Sequence, residues 1–384
     1  MNKGFFARAL TNKHEYFLSF APGRIEFLGN HLDYNGGTVL GMAVNAGISC
    51  LGIPANDNLI TMTSEGLEDA VLLGQINCIE KQTGKYKWAN YPLGVLQELQ
   101  KRNLAPTKGF HLYYTSNLPT AVGLSSSAAL ELATAVTLLQ LAGKEVSPGT
   151  LARICRDAEN KFVGMPCGIL DQGTSAFGKN NSLVKIDCRE ETYESVDLPQ
   201  NTQAWIFDTG IKHDLVDSLY SVRHQECKDA LSIIQDKGSD ITCLSMIEKE
   251  VLKDADLKEK LFKRATHVCD EQARVNQFCK GLESGMPPES LGKLLQESHQ
   301  SSSQYFENSC EELDYLAGLL NGHRNVHGAR LTGGGFGGAV MAWTQDLFNA
   351  TEAQAISDEF QKRFDRKSRF YRFLPSNGAR KETL

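Results

Sequence analysis

"PTAVGLSSSAAL", residues Pro119 to Leu130, decides how this chain is read. One glycine precedes three consecutive serines, and the run that follows, "AALELATAVTLLQLA", is plainly helical. A helix N-terminus presents up to four unpaired backbone N–H groups and about half a positive charge, so it is a ready anion site. Gly123 lets the backbone approach an anion closely, and Ser125, Ser126 and Ser127 add hydroxyl donors or a ligand for a divalent cation. The plainer reading is that one serine caps the helix and the others are merely small. Yet one N-cap side chain satisfies only one or two donors, so three hydroxyls exceed what capping needs.

No lysine follows the serines, so this is not a G-x-x-x-x-G-K-[ST] loop. A near match, "GTSAFGKN" from Gly173 to Asn180, ends in Asn where a metal-binding hydroxyl is required, and strand-like "SLVKI" follows it. "GGGFGG", Gly333 to Gly338, contains G-x-G-x-x-G but leads into strand-like "AVMAW" rather than the helix that a dinucleotide-binding turn opens. A dehydrogenase is therefore disfavoured. What remains is a glycine-rich turn between two strands, able to line a tight site with N–H groups.

The chain's 384 residues are long for one hydrophobic core, so two lobes are expected. A net charge of −6, with no Lys/Arg run longer than two, argues against nucleic acid as a partner. No segment approaches the roughly 20 apolar residues of a membrane span, and the N-terminal stretch lacks a signal-peptide core. Ten cysteines without a C-x-x-C pair read as free thiols. A cytoplasmic globular protein is expected.

The N-terminal half mixes strand-like runs ("FLSF", "NLITMTS", "GFHLYYTS", "NSLVKIDC") with helices such as "ANYPLGVLQELQKR". In "SPGTLARICRDAENKFVG", Ser147 is placed as N-cap, Pro148 opens the helix, and residues 151, 154, 155, 158 and 162 form its apolar stripe. From about Asp214 to Leu320 the pattern is helical, and strand signals return at "ARLTGG", "GGAVMAW" and "RFYRFLP". The fold class is α+β: a mixed lobe over residues 1–190 and a helix-rich lobe with a small sheet over 191–384.

Four further stretches complete the pattern. They are "APGRIEFLGNHLDYNGG" (Ala21 to Gly37), "WANYPLGV" from Trp88, "GMPCGILDQGTSAFG" (Gly164 to Gly178) and "GARLTGGGFGGAVMA" (Gly328 to Ala342). In this order, with the serine loop between the second and third, the chain resembles the galactokinases of the GHMP small-molecule kinase superfamily. "DSLYSVRHQEC" and "ESHQSSSQYFENSCEELDYL" extend the likeness over nearly the whole length. The resemblance implies a two-lobed GHMP kinase fold with its active site in the cleft. It also implies transfer of phosphate from ATP, with Mg²⁺, to the C1 hydroxyl of D-galactose. The alternatives are a C1-kinase for galacturonate or arabinose, and a non-catalytic sugar-binding regulator on the same scaffold.

By resemblance, Gly123, Leu124, Ser125, Ser126 and Ser127 would hold the ATP phosphates. Ser127 and Glu159 would hold Mg²⁺, and Trp88 would stack on adenine. Glu159 also stands at the edge of the apolar stripe, i+4 from Cys155, where a merely solvated glutamate is less expected; Trp88 taken alone reads as core. Asp171 would be the catalytic aspartate and Arg24 its basic partner, with base or orienting group left open for Asp171. Asp33 and Tyr220 would bond the sugar hydroxyls, Gly168 and Gly334 would mark close backbone approaches, and His31 belongs to the sugar motif. Its structural reading, a histidine bonding the loop backbone, is as well supported.

The usual signature reads Gly-Arg-Val-Asn-Leu-Ile-Gly-Glu-His-Thr-Asp-Tyr. Here Glu26 replaces the Asn, Asn30 the second Glu, and Leu32 the Thr. Ala121 and Val122 stand where glycines are common, and Ala339 where Cys is usual. In the family the glutamate at the position of Asn30 binds the C6 hydroxyl. Asn30 is thus expected to face C6, with Glu26 nearby supplying a compensating carboxylate, and Asn30→Glu to lower KM for galactose.

Overall fold

A computed structural model describes residues 2–10, 15–119, 122–211 and 216–383. Ala121 and the expected helix start near Asp214 lie outside the described residues. In chain order the strands are β1 Phe17–Leu28, β2 Thr38–Pro54, β3 Leu59–Ser64, β4 Leu67–Gln75, β5 Phe110–Ser116, β6 Ser182–Asp187, β7 Thr192–Asp197, β8 Thr202–Asp208, β9 Val326–Thr332, β10 Ala339–Gln345, β11 Arg369–Phe373 and β12 Arg380–Glu382. The helices are α1 Lys3–Ala9, α2 Asn90–Lys101, α3 Ser126–Leu141, α4 Pro148–Asp157, α5 Leu170–Phe177, α6 Val216–Asp236, α7 Lys249–Asp254, α8 Glu259–Glu283, α9 Pro288–Ser301, α10 Glu311–Asn321 and α11 Ala350–Phe364. None is long and apolar enough to cross a membrane.

The first sheet runs β12-β1-β2-β5-β3-β4, with the β6–β7 hairpin joined to the start of β2. The strand-like run "FLSF" ends at Phe20, just before Pro22 and Gly23, residue types that favour turns. Instead they form a bulge: the β1–β2 register shifts between Pro22 and Arg24, and again between Glu26 and Leu28. Between the shifts, Arg24, Ile25 and Glu26 face Ala43, Met42 and Gly41 in regular order. Period-2 alternation therefore puts Arg24 and Glu26 on one face and Ile25, fully buried, on the other.

Helix α3 is apolar all round and accordingly buried, packed on β1 and β2 and flanked by α2 and α4. In α4, Ser147 Oγ accepts from Thr150 N at 3.2 Å, and the expected stripe of Leu151, Ile154, Cys155, Ala158 and Phe162 is buried. From Ala158 to Val163 the helix widens into a π turn, a form concentrated at functional sites, and Glu159 projects from it.

The second sheet, β11-β8-β10-β9, is antiparallel throughout. Its strand β8 ("TQAWIFD") has no counterpart among the sequence-based expectations. Trp205 and Phe207 from β8 meet Leu313, Leu316 and Leu320 of α10 and Phe360 of α11 in a separate core. The expected boundary at 190/191 falls inside the β6–β7 hairpin, and β12 returns to pair with β1. The first sheet thus takes in residues up to Asp197 and again Arg380–Glu382, because strand pairing overrides order along the chain.

Candidate active site

The lobes meet at the loop after β1. Glu271 on α8 accepts the N–H groups of Gly29 and Asn30, each at 3.0 Å, and Ser298 Oγ at 2.7 Å. His267 Nε2 lies 3.1 Å from the Asn30 carbonyl, and Arg330 of β9 bonds the carbonyls of Glu26 and Phe27 at 3.3 Å. These bonds fix the loop over a cavity of about 230 Å³. Arg24, Glu26, Asn30, His31, Asp33, Glu159, Gly168, Asp171, Tyr220 and Gly334 all line it.

At its heart Arg24 Nε and Nη2 both reach Asp171 Oδ1 at 2.6 Å. Arg24 Nη1 donates to the Gly123 carbonyl at 2.6 Å, so one guanidinium ties the aspartate to the serine loop. Ser125 Oγ donates to Asp171 Oδ2. An ionised carboxylate offers about four lone-pair sites; three are taken, and one remains open. Ser125 is the N-cap residue of α3, yet it adopts φ 50° and makes no side-chain cap. The plain capping reading of the serines therefore fails at this position. Among the described residues no side chain caps the first turn of α3, and a Cβ on Gly123, at φ +72°, would meet only the Thr332 carbonyl, at 3.9 Å.

Glu159 is nearly buried and accepts from Gln172 Nε2 at 2.6 Å and Cys167 Sγ at 3.6 Å, with the Ser127 hydroxyl near enough to pull its pKa down. Burial, then the Asp171 charge, raise its carboxyl to about 7. Gln172 Nε2 also reaches Glu131 Oε2 at 3.1 Å, a wholly buried carboxyl of α3 pushed far up by burial. Neither Glu131 nor Gln172 is singled out by the sequence reading. The signal for Glu131 was present: it is the one carboxylate in an otherwise uncharged helix.

On the sugar side, Asp33 is raised to about 7 by burial and then by Asp171 and Glu26. Gly168 is obligatory there, since a Cβ would fall 2.2 Å from Asp33 Oδ2. Tyr220 stands against Gly334 and tilts on His31 at 5.4 Å. Both His31 ring nitrogens have protein partners, Tyr34 Oη at 2.9 Å and Asn308 Nδ2 at 3.0 Å, and burial drives its pKa well down, so it is neutral. Trp88, Leu124 and the three serines lie outside the cavity lining. Leu124 serves through its carbonyl, which takes Arg24 N at 3.0 Å. Trp88 sits half-buried, edge-on to Tyr114 at 5.7 Å.

Known proteins resemble this chain over nearly its whole length. The galactokinase galactose-binding signature matches residues 5–52, the GHMP kinases N terminal domain residues 90–179, and the GHMP kinases C terminal domain residues 285–366. The chain is 36% identical to the galactokinase of Thermotoga maritima over 94% of its own length and 99% of that protein's. It is 34% identical to that of Bacillus subtilis, over 98% and 97%. The solved Lactococcus lactis galactokinase complexed with galactose superposes with a TM-score of 0.91 at 30% identity, covering 98% of this chain and 97% of that one. A mevalonate kinase at 18% identity and TM-score 0.65 shares the fold. With the signature on the loop that roofs the cavity and the kinase domains on the elements that carry Asp171 and the serines, this chain belongs to the galactokinase family.

Proposed function

We propose that the protein transfers the γ-phosphoryl group of ATP to the C1 hydroxyl of D-galactose, giving galactose 1-phosphate and ADP. The observation that carries this is the Arg24–Asp171 pair, set in a monosaccharide-sized cavity and bonded to an uncapped serine loop. Asp171 accepts the hydroxyl's hydrogen bond at its free lone pair and aims the oxygen in line with the γ-phosphorus. As the new P–O bond forms, the bond to the β–γ bridging oxygen breaks, ADP leaves with the electron pair, and Asp171 takes the proton. Arg24 stabilises charge on the transferring group. Ser125, Ser126, Ser127 and the α3 N–H groups hold the phosphates, Trp88 meets the adenine, and Asp33, Tyr220 and the Gly168 and Gly334 backbone seat the sugar.

The residues fit Mg²⁺. Ser127 and Glu159 offer adjacent hard oxygens, and no group of three or more His, Cys, Asp or Glu among the described residues could hold a metal alone. That suits an ion bound through one carboxylate, water and substrate phosphates. When bound, Mg²⁺ neutralises phosphate charge. One chain lines the whole cavity, so a monomer suffices, and ten free cysteines suit a reducing cytoplasm. The test is ATP consumption over a panel of monosaccharides, with the phosphorylated carbon identified by NMR. Galactose 1-phosphate is expected; phosphate on another carbon, or no sugar-dependent ADP, overturns the reading.

A further inference from the structure

Asn30 and Glu26 share one wall of the cavity, and their hydrogen bonds divide the work between them. An asparagine side chain has two donors and two acceptor lone pairs. In Asn30 all four are used within the protein. Nδ2 donates to Glu26 Oε1 at 2.9 Å and to the Gly333 carbonyl at 3.0 Å. Oδ1 accepts from Ser302 Oγ at 3.1 Å and Asn308 Nδ2 at 3.0 Å. Glu26 is the reverse case. Its Oε1 is filled by Asn30 Nδ2 and by Arg330 Nη2 at 3.1 Å. Its Oε2 has no hydrogen-bond partner among the described residues, and Glu26 lines the cavity.

We propose that Glu26, not Asn30, is the specificity-determining residue of this wall, its Oε2 accepting a hydrogen bond from a substrate hydroxyl other than the one phosphorylated. The proposal rests on the kinase reading above. Arg24 and Glu26 stand on one face of β1 two residues apart, about 6.6 Å, so Glu26 meets the substrate roughly one sugar ring from the Arg24–Asp171 pair. An ionised carboxylate accepts only. This point therefore selects a hydroxyl and repels a carboxylate, favouring a neutral hexose over its uronate. Asn30 and the fully buried Arg330 are positioning residues that hold Glu26 in place. Compared with the usual signature, carboxylate and amide have exchanged places along the chain, and the wall keeps one carboxylate.

The test compares kcat/KM for galactose, its 2-, 3-, 4- and 6-deoxy derivatives and galacturonate in the wild type, Glu26→Gln and Glu26→Asp. Glu26→Gln is expected to weaken galactose roughly tenfold, the gap between a charged and a neutral acceptor. It should shrink the penalty for one deoxy sugar by a similar factor and lessen that for galacturonate. Glu26→Asp keeps a charge for Arg330 while withdrawing the oxygens by one methylene. It should shrink the same deoxy penalty, and it answers the question if the Gln variant fails to fold. Unchanged relative penalties across the series in both variants overturn the proposal. Calorimetric binding of the same sugars reads Glu26 even if no galactose is turned over, so failure of this inference and failure of the kinase reading are distinguishable.

Discussion

Two buried carboxylates separate the struts of this site from its working parts. For Glu271, burial pushes the carboxyl up, but Arg274, His267, Arg330 and Ser298 outweigh it and hold the group at about 2. The N–H groups of Gly29 and Asn30 complete its set of donors. Glu159 is buried almost as deeply, yet it stands at about 7 because burial and the Asp171 charge outrun the hydrogen bonds of Gln172, Cys167 and Ser127. Where the fold satisfies a carboxylate, the residue holds a loop. Where the fold leaves one crowded by other carboxylates and short of cations, the missing partner belongs to the ligand.

The largest effect should come where an acceptor site is left vacant for substrate. Asp171→Asn is expected to cut kcat by at least ~10²-fold, the scale for losing a positioned acid–base group, with nucleotide binding retained. Steady-state kinetics beside a nucleotide titration checks this, and near-normal turnover would show that the vacant lone pair on Asp171 does no chemistry.

The strut side should fail in stability. Glu271→Ala strands the Arg274 charge and two loop N–H groups, and should cost about 3–5 kcal/mol in urea unfolding. The wild type should show the matching pH dependence. A carboxyl depressed from 4.5 to about 2 contributes stability above pH 4.5 that is lost as pH falls toward 2, about 3 kcal/mol in full. A variant that is less active but equally stable would break the distinction between strut and working part.

Glu159 should show the opposite sign. Its raised carboxyl binds a proton in the fold between pH 4.5 and 7 that the unfolded chain has released, so its ionisation costs the ligand-free protein stability as pH rises. Glu159→Gln should therefore match the wild type near pH 4.5 and exceed it by up to about 3 kcal/mol above pH 7. The same variant, and Ser127→Ala, should raise the Mg²⁺ needed for half-maximal activity roughly tenfold, the range of one charge-assisted contact. Unchanged metal dependence in both would reduce Ser127 and Glu159 to structural residues.

Much of this was legible because the site residues lie in short motifs whose order survives in one dimension. The serine loop, the Ser147 cap and the α4 stripe needed only local spacing, and Asp171 was named from the resemblance. What was lost depends on pairing across the chain. The strand-like run stopped at Phe20, because only the opposing β2 strand makes Pro22 and Gly23 a bulge that carries Arg24 and Glu26 onward. The hydrogen bonds that saturate Asn30 come from residues 272 and 278 positions away. They also reverse one expectation. A glutamate at position 30 would face Glu26 Oε1 and the Gly333 carbonyl, so Asn30→Glu alone should raise, not lower, KM for galactose.

The smallest effect belongs to Trp88, which lies outside both the cavity and the carboxylate pairs. It stands edge-on to Tyr114, whose hydroxyl meets Thr134 of α3 at 3.0 Å, so it leans on the helix whose N-terminus forms the serine loop. Its Nε1 is buried without a partner among the described residues. Trp88→Phe removes that unsatisfied donor and keeps an aromatic face, so stability should change little or rise. Stacking on a base is worth about 1–3 kcal/mol by alanine substitution, and a phenyl ring retains part of it. KM for ATP should therefore rise only a few-fold, while Trp88→Ala should raise it tenfold or more and leave KM for galactose unchanged. Equal shifts in both KM values would instead mean that Trp88 supports the first lobe as a whole and meets no adenine.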